Sequence, residues 1–467
     1  MIPTFEQVGM MINTGMQIAE ALGADDSETT GNVTISEALE DIADAVKGLQ
    51  TVIHDHIIEK DVNFIDYDGT FLYSYTAEEF AELTEMPDNP RHEGLTAQGW
   101  NWTLENAQEY MAGHHKLWIG QNYVTKDGKT KLYITIPHET IKTIKLGMAV
   151  NGTVSIDWGD NSEATTLTGT SLTTYINTNA HEYPAVGDYV INIAVTEGEA
   201  AFFSNNMSKT ILMPGIEDAT QQSITAYARM LEKVEFGNGV SVGAGGFRGC
   251  GKVKSVTIPK TMTSFGTSAF SNMSDLQAIV LPHGLTSINS TDLGYLDELM
   301  YISLPDTLTA INSDVFRANG MRSISIPSGV TTLGSSVFSG CAHLEEIVLP
   351  NGLTEIPSTI FYNNTNLGSI IIPESVTRIR EYAFDTCSDL VTVTIPAAVT
   401  KIDMGAFEYC YGLHEIHFKS ETPPEIHATT FTGLQTYCKI YVPAGSLSAY
   451  TSATNYPDSN TYTYVEE

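Results

Sequence analysis

Seven prolines, Pro259, Pro282, Pro305, Pro327, Pro350, Pro373 and Pro396, stand 23 residues apart, once 22. Eleven residues after each comes Phe270, Leu293, Phe316, Phe338, Phe361, Phe384 and Phe407. Six residues further on, five in the shortened unit, stands Leu276, Leu299, Met321, Leu344, Leu367, Leu390 and Leu413. A unit this short buries its apolar residues only by stacking on the next, so the pattern specifies a solenoid. The segment before each proline alternates as a strand does. Ile279 and Leu281, Ile302 and Leu304, Ile324 and Ile326, Ile347 and Leu349, Ile370 and Ile372, Val393 and Ile395 point inward, and the residues between them point out.

Cys250, Cys341, Cys387 and Cys410 each follow a column phenylalanine by three residues, a slot that holds Met273, Asn319 and Asn364 in other units. A slot that takes Cys, Asn or Met is expected to be a buried turn position capping backbone groups. An odd total of five cysteines argues against a disulfide framework. The formal charge is −33, and a surface this acidic repels phosphate backbones and anionic lipid. Nucleic-acid binding and membrane insertion are therefore not expected.

The remaining chain divides by pattern into a multidomain order. Residues 1–60 read as a helical attachment and oligomerisation segment. An amphipathic helix over 4–23 is followed by Ile35, Leu39, Ile42, Val46, Leu49 and Ile53 at heptad spacing. Leu39, Val46 and Ile53 at a with Ile35, Ile42 and Leu49 at d suit a short homotrimeric coiled coil; a helix packed within its own monomer is the alternative. Residues 61–130 read as a small α+β module with a hairpin and a helix capped by Thr76. Residues 131–205 read as an Ig-like β-sandwich, 206–435 as the solenoid and 436–467 as its C-terminal cap. The first 22 residues lack a basic start and continuous apolar core, so a secretory signal is not expected, nor is any membrane span.

FIDYDGTFL, residues 64–72, matches the nucleophile motif of haloacid-dehalogenase phosphatases, with Asp66 as nucleophile and Asp68 as acid. That chemistry also needs a downstream Lys, a second acidic pair and a long alternating α/β core, whereas a small module and then a β-sandwich follow, which leaves a phosphatase as the remote alternative. A turn with acceptors at Asp66 and Asp68 and a glycine at positive φ explains the motif. His54 and His56 at the end of the heptads could form a metal ring only in a trimer, and His114–His115 reads as surface. No catalytic residue, metal site or cofactor is expected.

The repeat form, clean in LVTVTIPAAVTKIDMGAF (390–407), resembles the BspA-type leucine-rich repeat. IDWGDN (156–161) with HEYPAVGDYVINIAV (181–195) resembles the polycystic-kidney-disease-type immunoglobulin domain, in which Asp157 and Asp160 would form turns. The order of DYDGT module, HEGLTAQGWNWT (92–103), WGD-type domain and repeats resembles tail-associated proteins of gut Firmicutes phages. These resemblances imply a non-enzymatic receptor-binding protein of a phage tail fibre, located on the virion. Its N-terminus would join tail or baseplate proteins as a homotrimer, and its solenoid would bind a bacterial surface protein or glycan. A bacterial cell-surface adhesin is the alternative. The candidate binding face is the outward strand set Tyr301, Ser303, Ser323, Ser325, Glu346, Val348, Ser369, Ile371, Thr392, Thr394, Glu415 and His417. Arg317, Arg378, Arg380, Tyr382, Tyr409 and Tyr411 are expected as exposed turn residues beside it.

Overall fold

The computed structural model describes residues 60–137, 142–177, 181–202, 212–214 and 230–467. The heptad residues Ile35, Leu39, Ile42, Val46, Leu49 and Ile53, and the pair His54 and His56, lie outside the described residues. The chain from Lys60 onward forms one compact unit.

The module begins with strands β1 (Val62–Ile65) and β2 (Phe71–Tyr75), an antiparallel hairpin. DYDGT is its turn: Asp66 Oδ1 accepts from the Tyr67 N–H, Asp68 Oδ1 from the Thr70 N–H, and Gly69 sits at φ +88°. Helix α1 (Ala77–Ala81) starts at Thr76, whose hydroxyl accepts from the Glu79 N–H while Glu79 accepts from the Thr76 N–H, a reciprocal cap. Strand β3 (Leu95–Trp100), helix α2 (Leu104–Met111) and strand β4 (Leu117–Thr125) complete a sheet of order β2-β1-β4-β3. Val62, Phe64, Leu117 and Ile119 meet Phe80, Tyr110 and Met111, so both helices cover one sheet face.

Strands β5 (Thr130–Ile136), β6 (Thr143–Asp157), β7 (Thr165–Asn177), β8 (His181–Glu182), β9 (Gly187–Phe202) and β10 (Leu212–Pro214) follow. The WGD turn forms as expected, with Asp157 accepting from the Gly159 N–H and Asp160 from the Ser162 N–H. Trp158 is buried, stacks on His181 at 4.4 Å, and donates to Thr165 Oγ1. A separate sandwich ending at 205 is corrected. Strand β5 pairs with β9 and, on its other side, with β11 (Leu231–Glu235), which pairs in parallel with β13 (Ser255–Thr257). Strand β12 (Val240–Val242) pairs with β9. One nine-stranded sheet thus runs into the first coils, and a single apolar core continues from Leu132 to Tyr450. Strand pairing between β5 and β11 spans about a hundred residues and leaves no local sequence mark.

In the solenoid, two parallel ladders repeat from coil to coil. The first comprises Ala278–Val280, Tyr301–Ser303, Ser323–Ser325, Glu346–Val348, Ser369–Ile370, Thr392–Ile395, Glu415–Phe418 and Lys439–Val442. The second is a set of two-residue strands such as Arg378–Ile379 and Lys401–Ile402. All twelve inward residues named above are buried. On the third side the column phenylalanines stack, Phe316 on Phe338 at 5.6 Å, Phe338 on Phe361 at 5.6 Å, Phe361 on Phe384 at 5.4 Å, Phe384 on Phe407 at 5.0 Å. Each buried ring contributes about 2–3 kcal/mol by leaving water.

Flanking this column is a regularity that residue types conceal. In the eight coils from Phe247 to Phe407, the residues two before and two after the column all have left-handed backbone, yet only four of these sixteen are glycine. Such a conformation costs about 1–2 kcal/mol for other residues. Interlocking bonds offset it: the N–H groups of Tyr382, Phe384 and Thr386 donate to Met404, Ala406 and Glu408 of the next coil at 2.8–3.0 Å. The cysteine slot behaves as expected. Cys341, Cys387 and Cys410 are free thiols and donate to the carbonyls of Phe316, Phe361 and Phe384, the preceding column residues, at 3.0, 3.2 and 3.0 Å. Burial pushes the Cys341 thiol up to about 12. Helix α3 (Leu447–Thr451) and a final strand (Thr463–Glu466) close the end, with Tyr450, Tyr456, Tyr462 and Tyr464 packed on the core.

Candidate binding face

The outward strand residues stand in register from coil to coil. Glu346 aligns with Ser323, Val348 with Ser325, Thr392 with Ser369, Glu415 with Thr392, and His417 with Thr394. The twelve candidate residues therefore share one surface. They do not share one environment.

The proximal half of that surface is covered by the module. Strand β4 runs across the coils with the helix-free face of its sheet toward them. Ser325 Oγ donates to the Lys116 carbonyl at 2.9 Å, and Ser303 Oγ to the Trp118 carbonyl at 2.8 Å. The Asn122 amide donates to Ile258 at 3.2 Å. Trp118 packs on Tyr301 at 5.1 Å, and Phe71 meets the same ring at 5.4 Å. Between these contacts sits Gly120, where a Cβ would lie 2.4 Å from Val280 Cγ1 and 3.0 Å from Ser303 Cβ. Only glycine permits that approach.

Polar groups fix the register of the dock. The Asn101 amide donates to the carbonyls of Leu281 and Ser303 and to Ser303 Oγ, and its oxygen accepts from the Gly120 N–H at 2.9 Å. Trp102 Nε1 donates to Leu304 at 2.7 Å. The Asp306 carboxylate accepts from the Thr103 N–H and Asn106 at the start of α2, and from His283. At the edge, His115 pairs with Glu346. Ser303 is 0 % exposed and Ser325 is buried. As contact points for a partner, Ser303 and Ser325 are corrected: they belong to an internal interface. Nothing in the sequence assigns a binding role to Asn101, Trp102 or Gly120. The charge-free run LWIGQNYVT, buried at all but one position of β4, hints that this strand has a second partner but points to no single residue. A strand covered on both faces needs a second partner.

Among the described residues nothing covers the distal half. Ser369 is exposed, Ile371 is 75 % exposed, and Val348, Thr392 and Thr394 are half-buried around it. Val391, exposed, borders the same surface. At the far end His417 stacks on Tyr441 at 4.3 Å, with its Nδ1 3.0 Å from Glu467 and Nε2 3.5 Å from Glu415. The hydrogen bond from Lys419 holds the Glu467 carboxyl below its ordinary range. The expected exposed arginines are also corrected: Arg378 and Arg380 are tied to Asp403 and Glu355 at 2.7 Å across coils.

Asp66, the would-be nucleophile, is buried, and its Oδ2 lies 2.6 Å from His92 Nε2. That bond raises the His92 pKa, and both groups serve to lock the HEGLT segment against the hairpin. His114 bonds the Tyr110 carbonyl and stacks on that ring. Among the described residues no group of three or more His, Cys, Asp or Glu could hold a metal ion.

A family model for the BspA type leucine rich repeat region matches six copies over residues 222–345 and 309–440. Residues 222–440, just under half of the chain, match the BspA-type leucine-rich repeat. The column phenylalanines, the cysteine slot and the open strand face all lie in this BspA-type region. No curated protein matches the chain. Among solved structures, the chain is similar to a leucine-rich repeat protein of T. pallidum, 27 % identical, with 36 % of this chain and 80 % of that one covered and a TM-score of 0.31. It is also similar to a leucine rich cell surface protein of Faecalibacterium prausnitzii, 19 % identical, covering 56 % of this chain and 95 % of that one with a TM-score of 0.29. A leucine-rich repeat protein of Bacteroides ovatus is 21 % identical, covering 50 % of this chain and 88 % of that one, with a TM-score of 0.22. Among the described residues no helix is long and apolar enough to cross a membrane.

Proposed function

We propose that this chain is a non-enzymatic attachment protein whose distal BspA-type coils bind a component of a bacterial surface. One observation carries the reading: the outward strand positions already serve as a protein-docking surface in the proximal coils, and the same register continues uncovered past Glu346. Ile371 supplies an exposed apolar centre on that continuation, with small hydroxyl residues around it. Such a surface suits a shape-matched contact.

Within that reading the chain is the receptor-binding protein of a phage tail fibre. Residues 1–60 would join it to tail or baseplate proteins, as a homotrimer through the heptad residues. The order of segments along the chain supports this. The test is location and competition. The chain should be found in purified phage particles, and an excess of the purified protein should block phage adsorption. Presence on the envelope of the producing cell, with adsorption unaffected, would replace this reading with a cell-surface adhesin using the same face.

A further inference from the structure

On the phenylalanine side of the last coils, three tyrosines lie in contact and open to solvent: Tyr409, Tyr411 and Tyr437, 41 %, 48 % and 53 % exposed. Tyr409 and Tyr411 have ring centroids 5.9 Å apart with planes 38° from parallel. Both rings lie over Gly433, where a Cβ would come within 3.1 Å and 3.2 Å of them. The Tyr437 hydroxyl donates to the Tyr411 carbonyl at 2.8 Å, and its ring packs on His414 at 4.7 Å. His414 Nδ1 is 2.7 Å from the Gly412 carbonyl, so it donates there and leaves Nε2 as an acceptor facing solvent.

The backbone sets how the Tyr409 ring is presented. Tyr409 has φ 56°, in the left-handed column that other coils fill with Gly249, Asn272, Tyr295, Ala318, Gly340, Asn363 and Thr386. A bulky aromatic is disfavoured there. Tyr382 repeats the choice at φ 56° in the companion column, one coil earlier. The Tyr409 ring packs over Gly433 and beside Tyr411 and is still 41 % exposed.

We propose that Tyr409, Tyr411, Tyr437 and His414 form a binding subsite for a neutral saccharide. This deepens the surface-binding reading and rests on it, since His414 immediately precedes the strand that carries Glu415 and His417. A sugar ring offers an apolar C–H face to a tyrosine and hydroxyl groups to a polar rim, and tyrosine presents both an apolar body and a polar tip. The rim here is the Glu408 carboxylate beside the Tyr409 phenol, which holds that phenol above its ordinary pKa, and the His414 ring nitrogen. Glu408 and a chain charge of −33 oppose phosphorylated, sulfated or sialylated ligands. A basic side chain over one of these rings is the competing occupant, which the basic peptides below test.

The test applies the full chain to a printed array of neutral and anionic bacterial glycans together with basic peptides, then titrates the best neutral saccharide. Wild type should bind neutral glycans. Tyr437→Ala and Tyr409→Asn, the residue the same column uses at Asn272 and Asn363, should each weaken binding by about tenfold or more. Tyr409→Asn should keep or raise the melting temperature, because it relieves the backbone. No saccharide binding, binding confined to anionic glycans or basic peptides, unchanged affinity in both variants, or a lowered melting temperature in Tyr409→Asn overturns the proposal. Ile371→Asp separates it from the reading beneath: this variant should lose cell attachment yet keep saccharide affinity. Cell attachment by the wild type with no saccharide binding removes the subsite alone.

Discussion

The coils that carry Tyr301, Ser303, Ser323 and Ser325 and those that carry Ser369, Ile371, Thr392 and Thr394 have the same repeat, the same inward core and the same strand register. Ser303 is 0 % exposed while Ile371 is 75 % exposed. The difference comes from outside the repeat, from a module about 200 residues earlier that lays β4 across the proximal coils. A repeat therefore specifies which side chains point outward, while the flanking domains decide which of those remain available. The proximal half is also the better demonstration of how this surface binds protein. It offers hydroxyls and backbone carbonyls to amide and indole donors, with a small residue at the closest approach.

Overpacking the closest approach should break the distinction most sharply. Gly120→Val forces new methyl groups into Val280 and Ser303, and is expected to cost about 3 kcal/mol in urea denaturation. Amide exchange should then rise across residues 278–303 and stay unchanged across 369–418. Uniform change over both halves would mean that the module does not act as a local cover.

The next effect is confined to the proximal coils by a buried acid. Asp292 accepts from the Asn289 N–H, and its other oxygen is buried with no partner. Burial pushes its carboxyl up to about 7, against an unfolded value near 3.9. The folded state therefore holds this proton more tightly. Its stabilising contribution is complete below pH ~4, declines as pH rises to about 7 and is absent above. Asp292→Asn should remove that slope and raise stability at pH 8 by on the order of 2 kcal/mol. Parallel stability curves for the two proteins would contradict the assignment.

A smaller effect sharpens the view of the distal coils. Asn364 occupies the cysteine slot, but neither its amide nitrogen nor its oxygen has a partner. Asn364→Cys restores the thiol that Cys341, Cys387 and Cys410 use to reach the preceding column carbonyl, here that of Phe338. A gain of about 1 kcal/mol is expected in thermal or urea unfolding. A loss would mean that the asparagine bonds are made in solution.

Period, inward columns, the buried turn slot and the DYDGT and WGD turns were all legible because each rests on contacts local to one unit. Three features were not. The left-handed pairs beside each column phenylalanine carry Ser, Thr, Asp, Asn, Ala, Tyr and Gly without preference, since the bonds to the next coil hold the backbone whatever the side chain. The nine-stranded sheet joins β5 to β11 and β13 by pairing that no local pattern records. Occlusion of Ser303 and Ser325 depends on Asn101, Trp102 and Gly120, which look unremarkable in sequence. The arginines show the same limit in miniature: Arg378 and Arg380 read as surface until the coil stacking brings Asp403 and Glu355 to them.

Two matched substitutions on the two halves test the central claim most directly. Ile371→Asp on the open half should change stability by no more than about 0.5 kcal/mol while abolishing attachment of the purified chain to host cells. Ser325→Ala, beneath the module, should cost about 1 kcal/mol through the lost bond to Lys116 and leave attachment intact. The reverse result, attachment kept in Ile371→Asp and lost in Ser325→Ala, would contradict the assignment of binding to the distal coils.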